Sequence, residues 1–185
     1  MAILSTRESW GSVTRALHWL LALMIVGLAT VGWYMKGLPN TPYKVSVYAL
    51  HKSTGLTVLA LMLARIAWRL YEGARPAAPP GMPAWQVHGA AVTHALLYLA
   101  LLAMPVSGWL FNSASNFPLR WFGLFAVPAL VGPDPALKSA AGFAHWFLFW
   151  CIAALFTLHV AAALDHHFRI KDDVLRRMGW RGGAG

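Results

Sequence analysis

Four apolar runs, each long enough to cross a bilayer as a helix, constrain this chain more than any other feature: Leu17 to Met35, Val47 to Leu70, Ala90 to Phe111 and Phe143 to Leu164. A helix rises about 1.5 Å per residue and needs roughly twenty apolar residues to cover some ~30 Å of hydrocarbon. Backbone polar groups find no water there, so only helices and closed barrels cross, and unalternating runs of this length read as helices. With 58% of its residues hydrophobic and 11% charged, the chain has too little polar sequence for a soluble domain of 185 residues. It reads as an all-α, integral membrane four-helix bundle, a single transmembrane domain over residues 1–185.

The first run lacks the short apolar core and small-residue cleavage site of a secretion signal, so it is expected to stay as a span. A net charge of +9 would suggest nucleic acid for a soluble protein, but here the cations sort by side. Four spans put both termini together. That side carries Arg7, Arg15, Arg65, Arg69, Arg75, Arg169, Lys171, Arg176, Arg177 and Arg181, against Lys36, Lys44, Lys52, Arg120 and Lys138 on the other. The positive-inside rule then places both termini in the cytoplasm, with the basic tail over residues 169–185 against anionic membrane lipid and no role for nucleic acid. Of the connections, Gly37 to Ser46 is short, Tyr71 to Trp85 is rich in Pro and Ala, and Asn112 to Gly142 is longest. Phe117 to Phe122, with Leu124, Phe125 and Val127, is expected to lie in the headgroup region.

Two histidines, His145 and His159, stand fourteen residues apart in the fourth run. Fourteen residues are close to four turns, so both imidazoles leave one helix face about 21 Å apart along the axis. An imidazole in hydrocarbon needs partners for its ring nitrogens, which makes each a candidate ligand. His18, at the cytoplasmic end of the first span, shares a level with His159, and His51, at the outer start of the second, shares one with His145. Zinc asks for a fuller set of N, S or O ligands, and no Asp, Glu or Cys lies at either level. Haem iron brings its equatorial nitrogens and needs only two axial ones, so two stacked bis-histidine b haems suit the pattern better than a metal cage. They would be bound non-covalently, since Cys151 is alone and no Cys-x-x-Cys-His occurs. Gly27, Gly32 and Gly55 either leave room for a flat macrocycle or serve helix packing.

His18-Trp19, His51-Lys52-Ser53-Thr54-Gly55, the Pro105-Val106-Ser107-Gly108 break, the His145 and His159 pair and the closing Asp165-His166-His167 with Lys171-Asp172 together resemble bacterial cytochrome b561, over about Trp10 to Met178. The resemblance implies a dihaem protein of the bacterial inner membrane, with His18 and His159 on the cytoplasmic haem and His51 and His145 on the periplasmic one. That is the pairing depth suggests. It also implies an enzyme of the superoxide oxidase type, taking electrons from superoxide outside and passing them to ubiquinone inside.

On that reading the outer cations raise the local concentration of an anionic substrate, and Lys52, beside His51, is the first choice; snorkelling at the interface is the rival role. His166 follows His159 by seven residues on the same stripe, about 10 Å further on, where it would bond a quinone carbonyl and deliver a proton, or else meet a haem propionate or interfacial water. Asp165 and His167 are candidates for the same proton path. Arg65 and Arg69 pair either with haem propionates or, slightly favoured, with lipid phosphate. For His94 a packing hydrogen bond outranks contact with the inner haem or the quinone. Two other functions compete: a cytochrome b subunit relaying electrons from a dehydrogenase or hydrogenase partner protein to quinone, and a membrane protein that uses the histidines for a divalent ion.

Overall fold

The computed structural model describes residues 2–179; Arg181 and the rest of the tail beyond Gly179 lie outside the described residues. Four long helices, α1 (Ser12–Lys36), α2 (Pro42–Glu72), α3 (Ala84–Ala114) and α4 (Pro135–Asp165), run alternately up and down, and a short α5 (Val174–Met178) follows a π-helical turn at His166–Ile170. Each long helix is apolar enough to cross a membrane. All four outrun the apolar stretches that announce them, two of them from capped starts. Thr41 accepts from the Lys44 N–H ahead of Pro42, and Asp134 accepts from the N–H groups of Ala136 and Leu137 at 2.8 and 3.0 Å ahead of Pro135. At the far end of α2 the chain turns at Gly73, whose φ of +66° favours glycine.

Helix α1 lies against α2 and α3 against α4, with α2 also meeting α3. Leu21, Val58 and Met62 form the buried centre, joined by Ile25, Leu28, Tyr98 and Leu101. Leu23, Leu63, Leu99 and Leu158 point outward and are exposed, as a lipid-facing surface requires.

The α3–α4 connection has regular structure of its own. It holds a small antiparallel hairpin, β1 (Arg120–Trp121) with β2 (Phe125–Ala126), pinned to α2 by Ser53. The Ser53 hydroxyl donates to the Arg120 carbonyl at 3.2 Å and accepts from the Phe122 N–H at 2.9 Å, and Trp121 Nε1 donates to Thr57 Oγ1 at 3.1 Å. Phe117, Phe122, Leu124 and Phe125 remain exposed while Leu119 is buried, so the loop covers one end of the bundle and still presents apolar side chains outward.

The opposite end gathers the first and last described segments of the chain. Buried Glu72 accepts from the Ser5 N–H at 2.7 Å and from Thr14 Oγ1 at 2.9 Å, Arg15 donates to the Gly179 carbonyl at 2.7 Å, and Trp19 Nε1 donates to the Met178 carbonyl at 2.9 Å. Arg177 donates to the Ala77 carbonyl at 2.5 Å, which adds the α2–α3 loop to this terminal cap.

Candidate functional site

The helices bring the four histidines together in two facing pairs. His18 of α1 and His159 of α4 have ring centres 6.1 Å apart with planes at 69°, and His51 of α2 and His145 of α4 are 6.5 Å apart at 76°. The first pair lies toward the terminal cap and the second toward the hairpin; Val58 and Met62, two and three turns along α2 from His51, belong to the apolar layer between them. A metal–imidazole bond of about 2 Å on each side, plus about 1.2 Å from each nitrogen to its ring centre, sets two axial rings about 6.4 Å apart. Both pairs fit that separation. His94 of α3 stands edge-on to His159 at 5.1 Å, too close for an iron between them. Among the described residues no three or more His, Cys, Asp or Glu side chains gather around a metal position, so neither pair has the donors of a closed zinc cage.

Glycine lets two of the rings approach neighbouring backbone. A Cβ on Gly32 would sit 3.1 Å from His51 Cε1, and one on Gly108 would sit 3.0 Å from His145 Cε1. Gly55, one turn after His51, has open space beside it, as room for a macrocycle demands. Gly27 does not serve that purpose: it is exposed, and nine residues from His18 place it on the opposite side of α1. Gly32 fits the other alternative, close helix packing, because the His51 ring of α2 takes the space beside it.

The surroundings of the rings differ. His145 Nδ1 lies 3.0 Å from the Met104 carbonyl and 3.1 Å from Ser107 Oγ. Among the described residues His51 Nδ1 is buried without a hydrogen-bond partner. His18 Nδ1 faces Arg65 Nη2 at 3.4 Å, and Arg65 is itself held by Tyr98 Oη at 2.9 Å and the Thr14 carbonyl at 3.5 Å. Arg69, read from the sequence alongside Arg65, turns away from the pair. It is 3.6 Å from Glu72, donates to the Ala74 carbonyl at 3.3 Å and lies over the Trp10 ring at 4.8 Å, so its charge belongs to the terminal cap.

At the hairpin end, Lys52 Nζ donates to Asn112 Oδ1 at 3.1 Å, and Asn112 Nδ2 donates to the Phe117 carbonyl at 2.8 Å. An amide partner leaves the lysine charge uncompensated. Lys44 and Arg120 likewise bond carbonyl or amide oxygens, whereas the ion pairs found among the described residues lie at the terminal end. At the terminal end His166 Nδ1 is 2.5 Å from Asp172 Oδ2, and both side chains are largely buried. They line a cavity of about 280 Å³ with Pro79, Met82, Gln86 and Ile170. Asp165 is bound to exposed Arg169 at 2.6 and 2.9 Å, and His167 packs on the Phe168 ring.

Two axial-spaced histidine pairs at different depths of a four-helix membrane bundle accompany a match of the prokaryotic cytochrome b561 sequence family to residues 9–181. The chain belongs to the prokaryotic cytochrome b561 family. Membership brings b-type haem binding, transmembrane electron transfer and a bacterial membrane as its setting. The chain is 34% identical to cytochrome b561 homolog 2 of Escherichia coli (strain K12) over 179 residues, 96% of this chain and 95% of that one. It is 30% identical to cytochrome b561 homolog 1 of the same organism over 168 residues, covering 88% and 92%. A protein of Yersinia pestis described as a probable superoxide oxidase, CybB, is 29% identical over 163 residues, covering 88% and 90%.

Sequence reasoning names Ser107 and Gly108 only as part of a break in the third span and connects neither them nor Met104, Tyr98 and Asn112 with the histidines or Lys52. The Pro105-Val106-Ser107-Gly108 break was the one available signal, and it reads as a kink until the neighbouring helix is known.

Proposed function

We propose that this cytochrome b561 oxidises superoxide at the periplasmic face and reduces ubiquinone on the cytoplasmic side, through two b haems. The observation that carries the reading is the spacing of the two histidine pairs, 6.1 and 6.5 Å, at two depths of one bundle. His18 and His159 would hold one haem and His51 and His145 the other, and each haem supplies one-electron redox chemistry. The bias of Lys and Arg between the two sides supports cytoplasmic termini in the bacterial inner membrane.

The chain's own residues then divide the work. Lys52, half-buried and adjacent to His51, has no carboxylate partner and draws the anionic donor to the periplasmic end. Arg65, anchored beside His18, is a fixed cation suited to a haem propionate or a reduced quinone oxygen. Asp172 holds Nδ1 of His166, which leaves Nε2 free to pass a proton in the cytoplasmic cavity, with His94 nearer the inner pair as the second candidate. Two superoxide ions each lose one electron and leave as O2. One ubiquinone takes both electrons and two cytoplasmic protons. The description of the Yersinia pestis relative as a probable superoxide oxidase favours this donor.

The test is a pyridine-haemochrome assay on the purified protein, then rapid mixing with superoxide with and without a soluble ubiquinone. Two b haems per chain that superoxide reduces and quinone reoxidises are expected. Two haems indifferent to superoxide would move the function to relay for a protein partner, and a haem-free protein with bound metal would overturn the reading altogether.

A further inference from the structure

His145 is held by the stretch of α3 that contains Pro105-Val106-Ser107-Gly108. Pro105 to Gly108 lies within α3 and faces α4: Gly108 has no Cβ where the ring passes, and the Met104 carbonyl and Ser107 hydroxyl lie within hydrogen-bond distance of Nδ1. The chemistry of these acceptors fixes the ring. A backbone carbonyl has no proton to give, and the Ser107 hydroxyl spends its own on that same carbonyl at 2.7 Å, so His145 Nδ1 must be the donor to both oxygens. The other nitrogen, Nε2, is then the bare one. A histidine whose Nδ1–H is held by acceptors keeps one tautomer and one orientation and is a stronger base at Nε2.

We propose that Ser107 is a positioning residue for His145: with the Met104 carbonyl and the missing side chain of Gly108 it forms a clamp that presents Nε2 to the metal and strengthens it as a donor. The clamp is specific to this ring. His51 Nδ1, on the other side of the same pair, has no acceptor, and His18 Nδ1 faces a guanidinium, which offers no lone pair. The hairpin-end pair is therefore electronically lopsided, one ring clamped and the other not. A more basic axial ligand favours the oxidised metal, which lowers the reduction potential of the haem that His145 holds. Ser107 is itself buried, so water does not replace the hydroxyl from bulk at no cost.

The proposal rests on the bis-histidine haem reading, and its test separates the two. Haem content, low-temperature EPR spectra and redox titrations are compared for the wild type, Ser107→Ala and Ser107→Thr, with the hairpin-end haem identified by its loss in His51→Ala. In Ser107→Ala both haems stay, the potential of the hairpin-end haem alone rises and its EPR signal moves; Ser107→Thr, which keeps a hydroxyl, returns both toward wild type. Loss of the hairpin-end haem in Ser107→Ala with its recovery in Ser107→Thr supports the clamp equally. Unchanged potential and EPR signal in Ser107→Ala, or the same change in both variants, overturns it and leaves Ser107 as packing. Absence of haem from the wild type would instead sink the haem reading.

Discussion

Lys52 is a cation with a neutral partner, and that decides what its removal does. The Asn112 amide orients Nζ without cancelling its charge, so Lys52→Glu reverses the local field while leaving the histidine pair intact. The expected result is haem content unchanged and a several-fold slower reduction by superoxide at low salt, measured by rapid mixing. The difference shrinks as ionic strength rises toward ~0.1 M and above, where the Debye length falls to about 10 Å. Equal rates at low salt would remove Lys52 from the steering role. Gly32 acts by absence. An added Cβ would lie 3.1 Å from His51 Cε1, closer than ordinary contact, so Gly32→Ala displaces that ring by a few tenths of an ångström. A pyridine-haemochrome assay is expected to fall from two haems per chain toward one, with the His18 and His159 pair keeping its own.

Among the elements, the hairpin over the α3–α4 connection shows how a single side chain holds a loop. Ser53 is fully buried and uses both its donor and its acceptor on β1 and the residue after it. Ser53→Ala leaves the Phe122 N–H without its partner, at a cost of about 1–3 kcal/mol. Faster tryptic cleavage after Arg120 is the expected consequence, since local opening exposes that bond more often; an unchanged rate would mean that Trp121 and Thr57 suffice. The helices themselves were largely legible. Each apolar run marks the part of a helix that crosses hydrocarbon, and the missing turns at two starts come from Thr41-Pro42 and Asp134-Pro135, whose capping chemistry was present in the sequence but lay outside the apolar runs. The histidine depths were legible for a related reason: within a rigid helix, residue spacing converts directly to height. What Gly108, Ser107 and Met104 do was not, because their partner lies thirty-seven or more residues away on α4, and no spacing rule says which faces of α3 and α4 meet. The neighbours of Arg69 were not legible for the same reason: one turn from Arg65 on the same helix, it meets Glu72 and Trp10.

At the scale of the whole molecule, an apolar layer around Leu21, Val58 and Met62 separates the two pairs, and each pair draws its second ring from a different helix. They are expected to fail separately. His51→Ala should yield a folded protein with one haem per chain in the pyridine-haemochrome assay, and His18→Ala the complementary species with a different spectrum. Loss of both haems from either variant would mean that the bundle needs both to assemble. The bias of charges is a property of the same scale: of the chain's six carboxylates only Asp134 belongs to the hairpin end, and it is committed to capping α4.

His145 and His159 belong to the same unbroken stretch of α4, and that has a mechanical consequence. Tilting or sliding of α1 or α2 loosens or tightens one jaw of one site, whereas the separation between sites is written into a single covalent rod. Charge hopping is steeply sensitive to distance. With a haem in each pair, as proposed, thermal breathing of the bundle would change the grip on each haem before it changed the gap that an electron has to cross.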